Sequence, residues 1–279
     1  MEFRHILFPT DFSTPCQQIV PWVAEMVKRL GARLTLLNVR ELPYAWSGEI
    51  DPRLLEGLSN FEQLEERQRS LLDEFRRAYL SSITVEIASR KGDPAEQIAT
   101  YARTTDVDLI MMPTHGCGRF RAALLGSVTA KVIHDSLCAV WTSAHIETLH
   151  NPTYPCRLIM CAVGDVDEKM ETIKVIRHAG LLAEDLECSM IIVHAVAPGC
   201  ATCESQLGSR LQSCEELAQV TVPICVEKGK MATVIPETAN RYEADLIIVG
   251  RGHSSDVFGS WRSHLYSIIR NSPCPVLTI

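Results

Sequence analysis

The sequence lacks three features that would each indicate a different class of protein. It has no run of 18 or more apolar residues, the length that a membrane-spanning helix needs. It has no strongly basic region: 16 basic and 19 acidic residues lie in residues 1–153, and 11 and 15 in residues 154–279. It has no secretory signal, because Glu2 and Asp11 interrupt the start. We therefore expect a cytoplasmic protein that binds neither membranes nor nucleic acid.

The eleven cysteines form no zinc motif that can be read from their spacing. Cys200 and Cys203 are the one CxxC pair, and a structural zinc site normally needs a second pair. We expect two exposed loop thiols there, with a redox or metal role as the alternative. Other cysteines lie in apolar runs, where a cytoplasmic protein keeps them reduced as small buried residues: Cys138, Cys161, Cys225 and Cys274.

The chain contains an internal repeat, which fixes the number of domains. Residues 106–112 match residues 243–249 at an offset of 137, and residues 136–140 match residues 272–276 at an offset of 136. The repeat predicts two copies of one fold, joined by a segment whose prolines end helices and central strands. The predicted parts are a domain over 1–148, a linker over 149–155 and a second domain over 156–279.

Short β-branched runs alternate with amphipathic stretches in both copies, which is typical of βαβ units. With right-handed crossovers, we expect two tandem doubly wound α/β domains, each a five-stranded parallel sheet of order 3-2-1-4-5 with helices on both faces. Ser13 and Asp93 are candidate N-caps, and residues 61–79 predict a long solvated helix. The predicted strands are 4–9, 33–39, 83–89, 107–112 and 138–142, then 157–163, 188–196, 221–227, 245–249 and 275–279.

Doubly wound sheets bind ligands beyond the carboxyl ends of their strands, which directs attention to the loops after strands one and four. After strand four the chain reads Pro113-Thr-His-Gly116, nine residues, then Gly126-Ser127-Val128 at a helix start. Glycines let the backbone approach a ligand, and amides at a helix start attract phosphate oxygens. His115, on the same loop, is either a charge partner for the ligand or a plain surface residue. Asp11 either binds the ligand or only forms a turn.

These segments resemble tandem-domain members of the universal stress protein family. The resemblance is carried by Ile6-Leu-Phe-Pro-Thr-Asp-Phe-Ser13, by Gly92-Asp-Pro-Ala-Glu-Gln-Ile98, by Asp108-Leu-Ile-Met-Met112, and by the loop from Pro113 to Ser127. It covers residues 3–144 closely and residues 156–279 more loosely. Pro113 stands at the first glycine of the family's loop, where it removes one N–H donor.

The resemblance implies an ATP site in the first domain, with or without Mg²⁺. In the ATP-binding branch of the family, the loop glycines and the serine hold the phosphates and ribose. The aspartate turn and the end of strand two hold the adenosine. Carried over by position, this implies binding by Pro9, Thr10, Asp11, Val39, Met112, Pro113, His115, Gly116, Gly126, Ser127 and Val128.

The second copy departs from this pattern. Its loop runs Gly250-Arg-Gly-His253, then eight residues, then Arg262-Ser263, and Gly164 stands near the position of Asp11. We expect a degenerate site here, although Arg251, His253 and Arg262 could instead bind an anion. His194 is expected to be a hydrogen-bonded structural residue.

Together these features predict a nucleotide-dependent regulatory module of the stress response with no catalytic set. The alternatives are an interaction protein that binds no nucleotide and a weak ATPase. The last strands of family members associate, so residues 140–142 and 276–279 are expected to pair within one chain as a pseudo-dimer, or with a second chain as a homodimer. The protein partner is unknown.

Overall fold

The computed structural model describes residues 3–41, 55–116, 125–144, 156–163, 169–196, 222–251 and 260–279. The chain divides into two compact units. The N-terminal unit holds described residues 3–116 and 126–138, and the C-terminal unit holds the described residues from 139 to 279. The predicted linker over 149–155 lies outside the described residues.

The N-terminal unit is a parallel sheet with its strands joined by helices. The strand order is β3-β2-β1-β4, and every described pairing is parallel. Along the chain the elements are β1 (His5–Pro9), α1 (Thr14–Leu30), β2 (Arg33–Arg40), α2 (Leu55–Tyr79), β3 (Val85–Lys91), α3 (Pro94–Thr104), β4 (Leu109–Pro113) and α4 (Ser127–Asp135).

The C-terminal unit repeats this arrangement and adds one strand. Its order is β8-β7-β6-β9-β10-β5, and β5 is antiparallel to β10 whereas the other described pairings are parallel. The elements are β5 (Ala139–Ser143), β6 (Leu158–Val163), α5 (Lys169–Asp185), β7 (Ser189–Val196), β8 (Ile224–Lys228), α6 (Met231–Arg241), β9 (Leu246–Val249), α7 (Ser260–Asn271) and β10 (Val276–Thr278).

The predicted α/β class is confirmed, and the second copy shows the complete order 3-2-1-4-5. In the first copy, strands one to four follow this order within the N-terminal unit, while β5 belongs to the C-terminal unit. Leu277 of β10 pairs with Trp141 of β5, so the expected pairing of these strands within one chain is also confirmed. Because β9 and β5 flank β10 on either side, neither edge of β10 is left for another strand.

Burial explains why these segments become strands. All five residues of β1 and of β4 are buried, as expected for parallel strands covered by helices on both faces. The outer strand β3 is only partly buried and carries Glu86, Arg90 and Lys91, charges that discourage pairing with other chains. No helix in the described ranges combines the length and the apolar character needed to cross a bilayer.

The helix starts agree with the capping signals, with one difference in chemistry. Ser13 and Asp93 occupy the N-cap positions of α1 and α3. The Asp93 carboxylate accepts a hydrogen bond from the Glu96 N–H over 3.0 Å, whereas Ser13 makes no side-chain cap. Helix α2 begins at residue 55 instead of residue 61, because its charged segment marks only its later turns.

Three of the four cysteines that we expected to be buried are buried. Cys138, Cys161 and Cys274 lie in the core. Cys225 is only partly buried because it lies on the edge strand β8. Burial raises the pKa of Cys161 to about 12, so this thiol stays protonated. Cys200 and Cys203 lie outside the described residues.

Candidate functional site

A cavity of about 310 Å³ opens at the carboxyl ends of β1, β2 and β4 in the N-terminal unit. It lies between β1 and β4, where the strand order reverses and doubly wound sheets bind ligands. The structure brings nine of the eleven predicted residues to this cavity: Pro9, Thr10, Asp11, Val39, Met112, Pro113, His115, Gly116 and Val128. The other two, Gly126 and Ser127, directly precede Val128 at the start of α4.

The turn after β1 is held by its own polar side chains. Thr10 Oγ1 accepts a hydrogen bond from the Phe12 N–H over 3.0 Å, and Phe12 takes a left-handed φ of 63°. Asp11 Oδ1 accepts from the Ser13 N–H over 3.0 Å and from the Cys16 thiol over 3.2 Å. Asp11 therefore forms the turn, and its second oxygen, Oδ2, faces the loop after β4.

Two loop positions leave no space for a side chain. A Cβ atom on Gly116 would lie 2.1 Å from Asp11 Oδ2, far inside normal contact distance. A Cβ atom on Gly126 would lie 2.9 Å from the Thr114 carbonyl oxygen. The two glycines thus let the loop pack against the aspartate turn and against its own beginning at Thr114.

Two hydrogen bonds fix the start of α4 beside the end of β4. The Gly126 N–H donates to the Thr114 carbonyl over 2.7 Å, and the buried Thr129 hydroxyl donates to the Pro113 carbonyl over 3.0 Å. Gly126 is the N-cap and provides no side-chain cap for α4. Val128 and Thr129 of the first turn of α4 line the cavity, and the amides of this turn have no capping side chain, an arrangement that attracts anions.

A buried polar chain joins α2 to the end of β1. The Thr10 N–H donates to the Leu37 carbonyl over 2.8 Å, and Asn38 Nδ2 donates to the Thr10 carbonyl over 2.7 Å. Gln68 of α2, itself buried, donates from Nε2 to Asn38 Oδ1 over 2.5 Å. These bonds set the position of the Thr10 backbone at the cavity wall.

Sequence reasoning missed six residues that line the cavity. Pro94 and Ile98 belong to the Gly92–Ile98 motif, so a signal for them was present. Cys16 carries no sequence signal for a binding role. Its burial, and after that the charge of Asp11, raise its pKa to about 12, so the thiol stays neutral. The complete set of missed residues is Cys16, Leu37, Glu41, Pro94, Ile98 and Thr129.

The equivalent region of the C-terminal unit is described only in part, since Gly164 and His253 lie outside the described residues. Arg262 lies inside α7, whereas Gly126 precedes α4. A Cβ on Gly250 would lie 3.0 Å from the Val175 side chain. His194 is buried, with Nδ1 3.2 Å from the Val163 carbonyl, so the expected structural role of this histidine is confirmed.

The universal stress protein family model matches residues 2–143 and 157–279. The chain belongs to the universal stress protein family. Because the match occurs twice, the tandem arrangement inferred from the repeat is confirmed. Among the described residues of this family member, no group of three or more His, Cys, Asp or Glu side chains could hold a metal ion.

Similar proteins agree with this assignment. Universal stress protein MJ0577 from Methanocaldococcus jannaschii is 29% identical over 146 residues, which is 48% of this chain and 90% of that protein. Universal stress protein Sll1654 from Synechocystis sp. is 30% identical over 139 residues, which is 50% of this chain and 83% of that protein. A crystal structure of a universal stress protein from Archaeoglobus fulgidus has a TM-score of 0.72 at 22% identity and covers 99% of this chain and 96% of its own. That likeness shows the fold over both copies.

Proposed function

We propose that the N-terminal unit binds ATP or a related adenine nucleotide in the cavity between β1 and β4. In this proposal the nucleotide controls a cytoplasmic regulatory module of the stress response, which acts through a protein partner. The observation that carries the proposal is the convergence of nine residues, named from the family motifs, on one cavity at the switch point of the sheet.

The shape and chemistry of the cavity fit an adenosine group. Its volume of about 310 Å³ lies within the roughly 300–1,000 Å³ range of small-molecule sites. Leu37, Val39, Ile98 and Met112 offer apolar surface that suits a purine ring. The Asp11 carboxylate beside them is an acceptor that suits ribose hydroxyl groups.

The start of α4 fits a phosphate group. Gly116 packs against the Asp11 carboxylate and Gly126 against the Thr114 carbonyl, so a side chain at either position would displace the group it meets. The Ser127 hydroxyl is exposed and stands on the first residue of α4, next to amides with no capping side chain. Pro113 offers no amide, so we assign the phosphate contacts to the α4 end of the loop. Mg²⁺, if it accompanies ATP, would be held mainly by the phosphates, as is usual for this ion.

We further propose that the C-terminal unit does not bind a nucleotide in this way. A helix that begins before Arg262 cannot place amides where those of Ser127 and Val128 lie. The stoichiometry expected for the full chain is therefore one nucleotide.

Isothermal titration calorimetry of the full chain with ATP tests the proposal. We expect one binding site for ATP on the full chain. The variant Ser127→Ala is expected to weaken ATP binding several-fold through the loss of one hydrogen bond, worth about 1 kcal/mol. Ser70→Ala, another exposed serine on a helix, is the matched control and should bind like the wild type. Absence of binding at millimolar ATP would reject the proposal and favour an interaction protein without a nucleotide.

A further inference from the structure

Two cysteines of the C-terminal unit are in direct contact. The thiols of Cys156 and Cys188 are hydrogen-bonded to each other, although 31 residues separate them along the chain. Cys156 lies just before β6 and Cys188 directly before β7, and these strands are parallel neighbours paired from Leu158 and Ser189 onward. In this register Cys188 is level with Arg157, one residue along from Cys156, so the two cysteines are diagonal neighbours. A strand spacing of about 4.8 Å and a rise of about 3.3 Å give a Cα separation of roughly 6 Å, within the roughly 4.4–6.8 Å found across disulfides.

The first copy of the fold has no cysteine at the position of Cys156. The Arg157 N–H donates to Asp245 Oδ2 over 2.7 Å, as the Arg4 N–H donates to Asp108 Oδ2 over 2.9 Å. The residue before each arginine is therefore structurally equivalent. In the N-terminal unit it is Phe3, a core residue that is 3% exposed.

The position of Cys188 is also apolar in the first copy. The N–H of Arg33, the first residue of β2, donates to the Arg4 carbonyl over 2.9 Å. The N–H of Ser189, the first residue of β7, donates in the same way to the Arg157 carbonyl over 2.9 Å. The residues immediately before them are Ala32 and Cys188. Because Ala32 packs in the core of one unit, the fold does not require sulfur at this position. The C-terminal unit has placed thiols at both members of a contacting pair.

We propose that Cys156 and Cys188 form a dithiol site that a hydroperoxide oxidises to an intramolecular disulfide. Their contact and their different exposure determine the order of the steps. Cys188 is partly exposed and Cys156 is 6% exposed, so the oxidant reaches Cys188 first. The hydrogen bond with Cys188 is the largest cause that raises the pKa of Cys156. Cys156 therefore stays protonated and acts second, after Cys188 has reacted.

The reaction is balanced with a hydroperoxide as the sole co-reactant. The Cys188 sulfur attacks one peroxide oxygen, the O–O bond breaks, and a sulfenic acid and one molecule of water or alcohol form. The Cys156 sulfur then attacks the Cys188 sulfur, the S–O bond breaks, and the hydroxyl leaves as water with the Cys156 proton. Two thiols and one hydrogen peroxide give one disulfide and two waters.

Peptide mapping of the full chain tests this site. Cys200 and Cys203 lie in the same tryptic peptide as Cys188, and Cys138 lies in that of Cys156. The protein used therefore carries serine at positions 200 and 203 and alanine at position 138. The reduced protein is treated with hydrogen peroxide, blocked with N-ethylmaleimide in denaturant and digested. We expect the peptide with Cys156 joined to the peptide with Cys188, at their summed mass minus two hydrogens, and separated again by dithiothreitol.

Three variants make the outcome decisive. Cys188→Ala, which copies the first unit, should abolish the linked peptide and leave Cys156 labelled by the maleimide. Cys156→Ser should leave Cys188 as a sulfenic acid that dimedone traps. Cys161→Ala, a fully buried single thiol, is the matched control and should keep the linkage. A wild-type protein in which Cys156 stays maleimide-labelled while Cys188 becomes sulfinic acid, or in which Cys156 is joined to Cys274, would overturn the proposal.

Discussion

Gly116→Ala is the substitution for which the structure gives the sharpest expectation. The added methyl group would lie 2.1 Å from Asp11 Oδ2, against an ordinary contact of about 3.4 Å. The exposed carboxylate must therefore retreat by roughly 1.3 Å from its present position to reach an ordinary contact distance. This movement strains the hydrogen bonds that Asp11 Oδ1 accepts from the Ser13 N–H and the Cys16 thiol.

We expect this movement to take one charged hydrogen-bond acceptor, the Asp11 carboxylate, away from the nucleotide. Because Asp11 is exposed, we take the lower end of the range for charged hydrogen bonds, about 1.5 kcal/mol. The dissociation constant for ATP should then rise about tenfold, since 1.4 kcal/mol is a factor of ten. The melting temperature should change little, because the carboxylate is the mobile end of a side chain.

Calorimetric titration of four proteins completes the test: the wild type, Gly116→Ala, Asp11→Ala and the double variant. If the methyl group acts by displacing Asp11, Gly116→Ala should cost almost nothing once Asp11 is alanine. Gly180→Ala, where the methyl group meets no atom within 4 Å, is the control and should bind ATP normally. Normal ATP binding by Gly116→Ala, or an undiminished loss of affinity in the Asp11→Ala background, would show that the methyl group does not act by displacing Asp11.

Three further predictions concern the loop and the core of the N-terminal unit. Gly126→Ala should weaken ATP binding at least tenfold in calorimetry, because its methyl group would lie 2.9 Å from the Thr114 carbonyl, and Gly126→Arg should add little to that loss. Thr129→Val should lower the free energy of unfolding by about 1–2 kcal/mol in a urea titration, because it leaves the Pro113 carbonyl without its buried donor, while Thr129→Ser should retain most of the stability. Burial is the main cause that lowers the pKa of His5, so the unfolded chain binds this proton more readily and the stability that neutral His5 contributes is lost as pH falls below about 6.5. The difference in unfolding free energy between wild type and His5→Gln should therefore shrink on acidification, by no more than about 1.4 kcal/mol per pH unit.

Each of these predictions has an outcome that would contradict it. Full ATP affinity in Gly126→Ala would mean that the loop adapts, and that only an arginine charge or bulk disables it. Equal stability of Thr129→Val and wild type would show that water replaces the lost donor. A difference between wild type and His5→Gln that stays constant between pH 7.5 and pH 5.5 would show that His5 accepts a proton as readily in the folded state as in the unfolded chain.

The sheet was predictable because central parallel strands must be apolar along their whole length. Residues 107–112 were predicted as a strand, and the observed β4 spans Leu109–Pro113. The unit to which β5 belongs could not be predicted, since residues 140–142 would be equally apolar in either unit. The structure groups β5 with the C-terminal unit, in which Trp141 pairs with Leu277.

The candidate site was predictable where the backbone itself forms the wall. Pro9 and Met112 lie at the ends of β1 and β4, and Gly116 follows β4; the ends of these strands must meet at one edge of the sheet. Contacts made by side chains across elements were not predictable. Gln68 is one polar residue on a highly charged helix, and its hydrogen bond to Asn38 depends on how α2 packs.

The contact between Cys156 and Cys188 was hidden for the same reason. The 31 residues between Cys156 and Cys188 match the spacing of no known sequence motif. They become neighbours because β6 pairs with β7 from Leu158 and Ser189 onward. The CxxC pair, which does have a motif spacing, gave no comparable geometry because Cys200 and Cys203 lie outside the described residues.

Photoaffinity labelling with an azido-adenine analogue of ATP shows where on the chain the nucleotide binds. We expect labelling, blocked by excess ATP, on the peptides that contain Val39 or Met112 and line the cavity. We expect no ATP-protected label between residues 156 and 279. A protected label confined to the C-terminal unit, or labelling that excess ATP does not reduce, would contradict the claim that the N-terminal unit is the nucleotide-binding half.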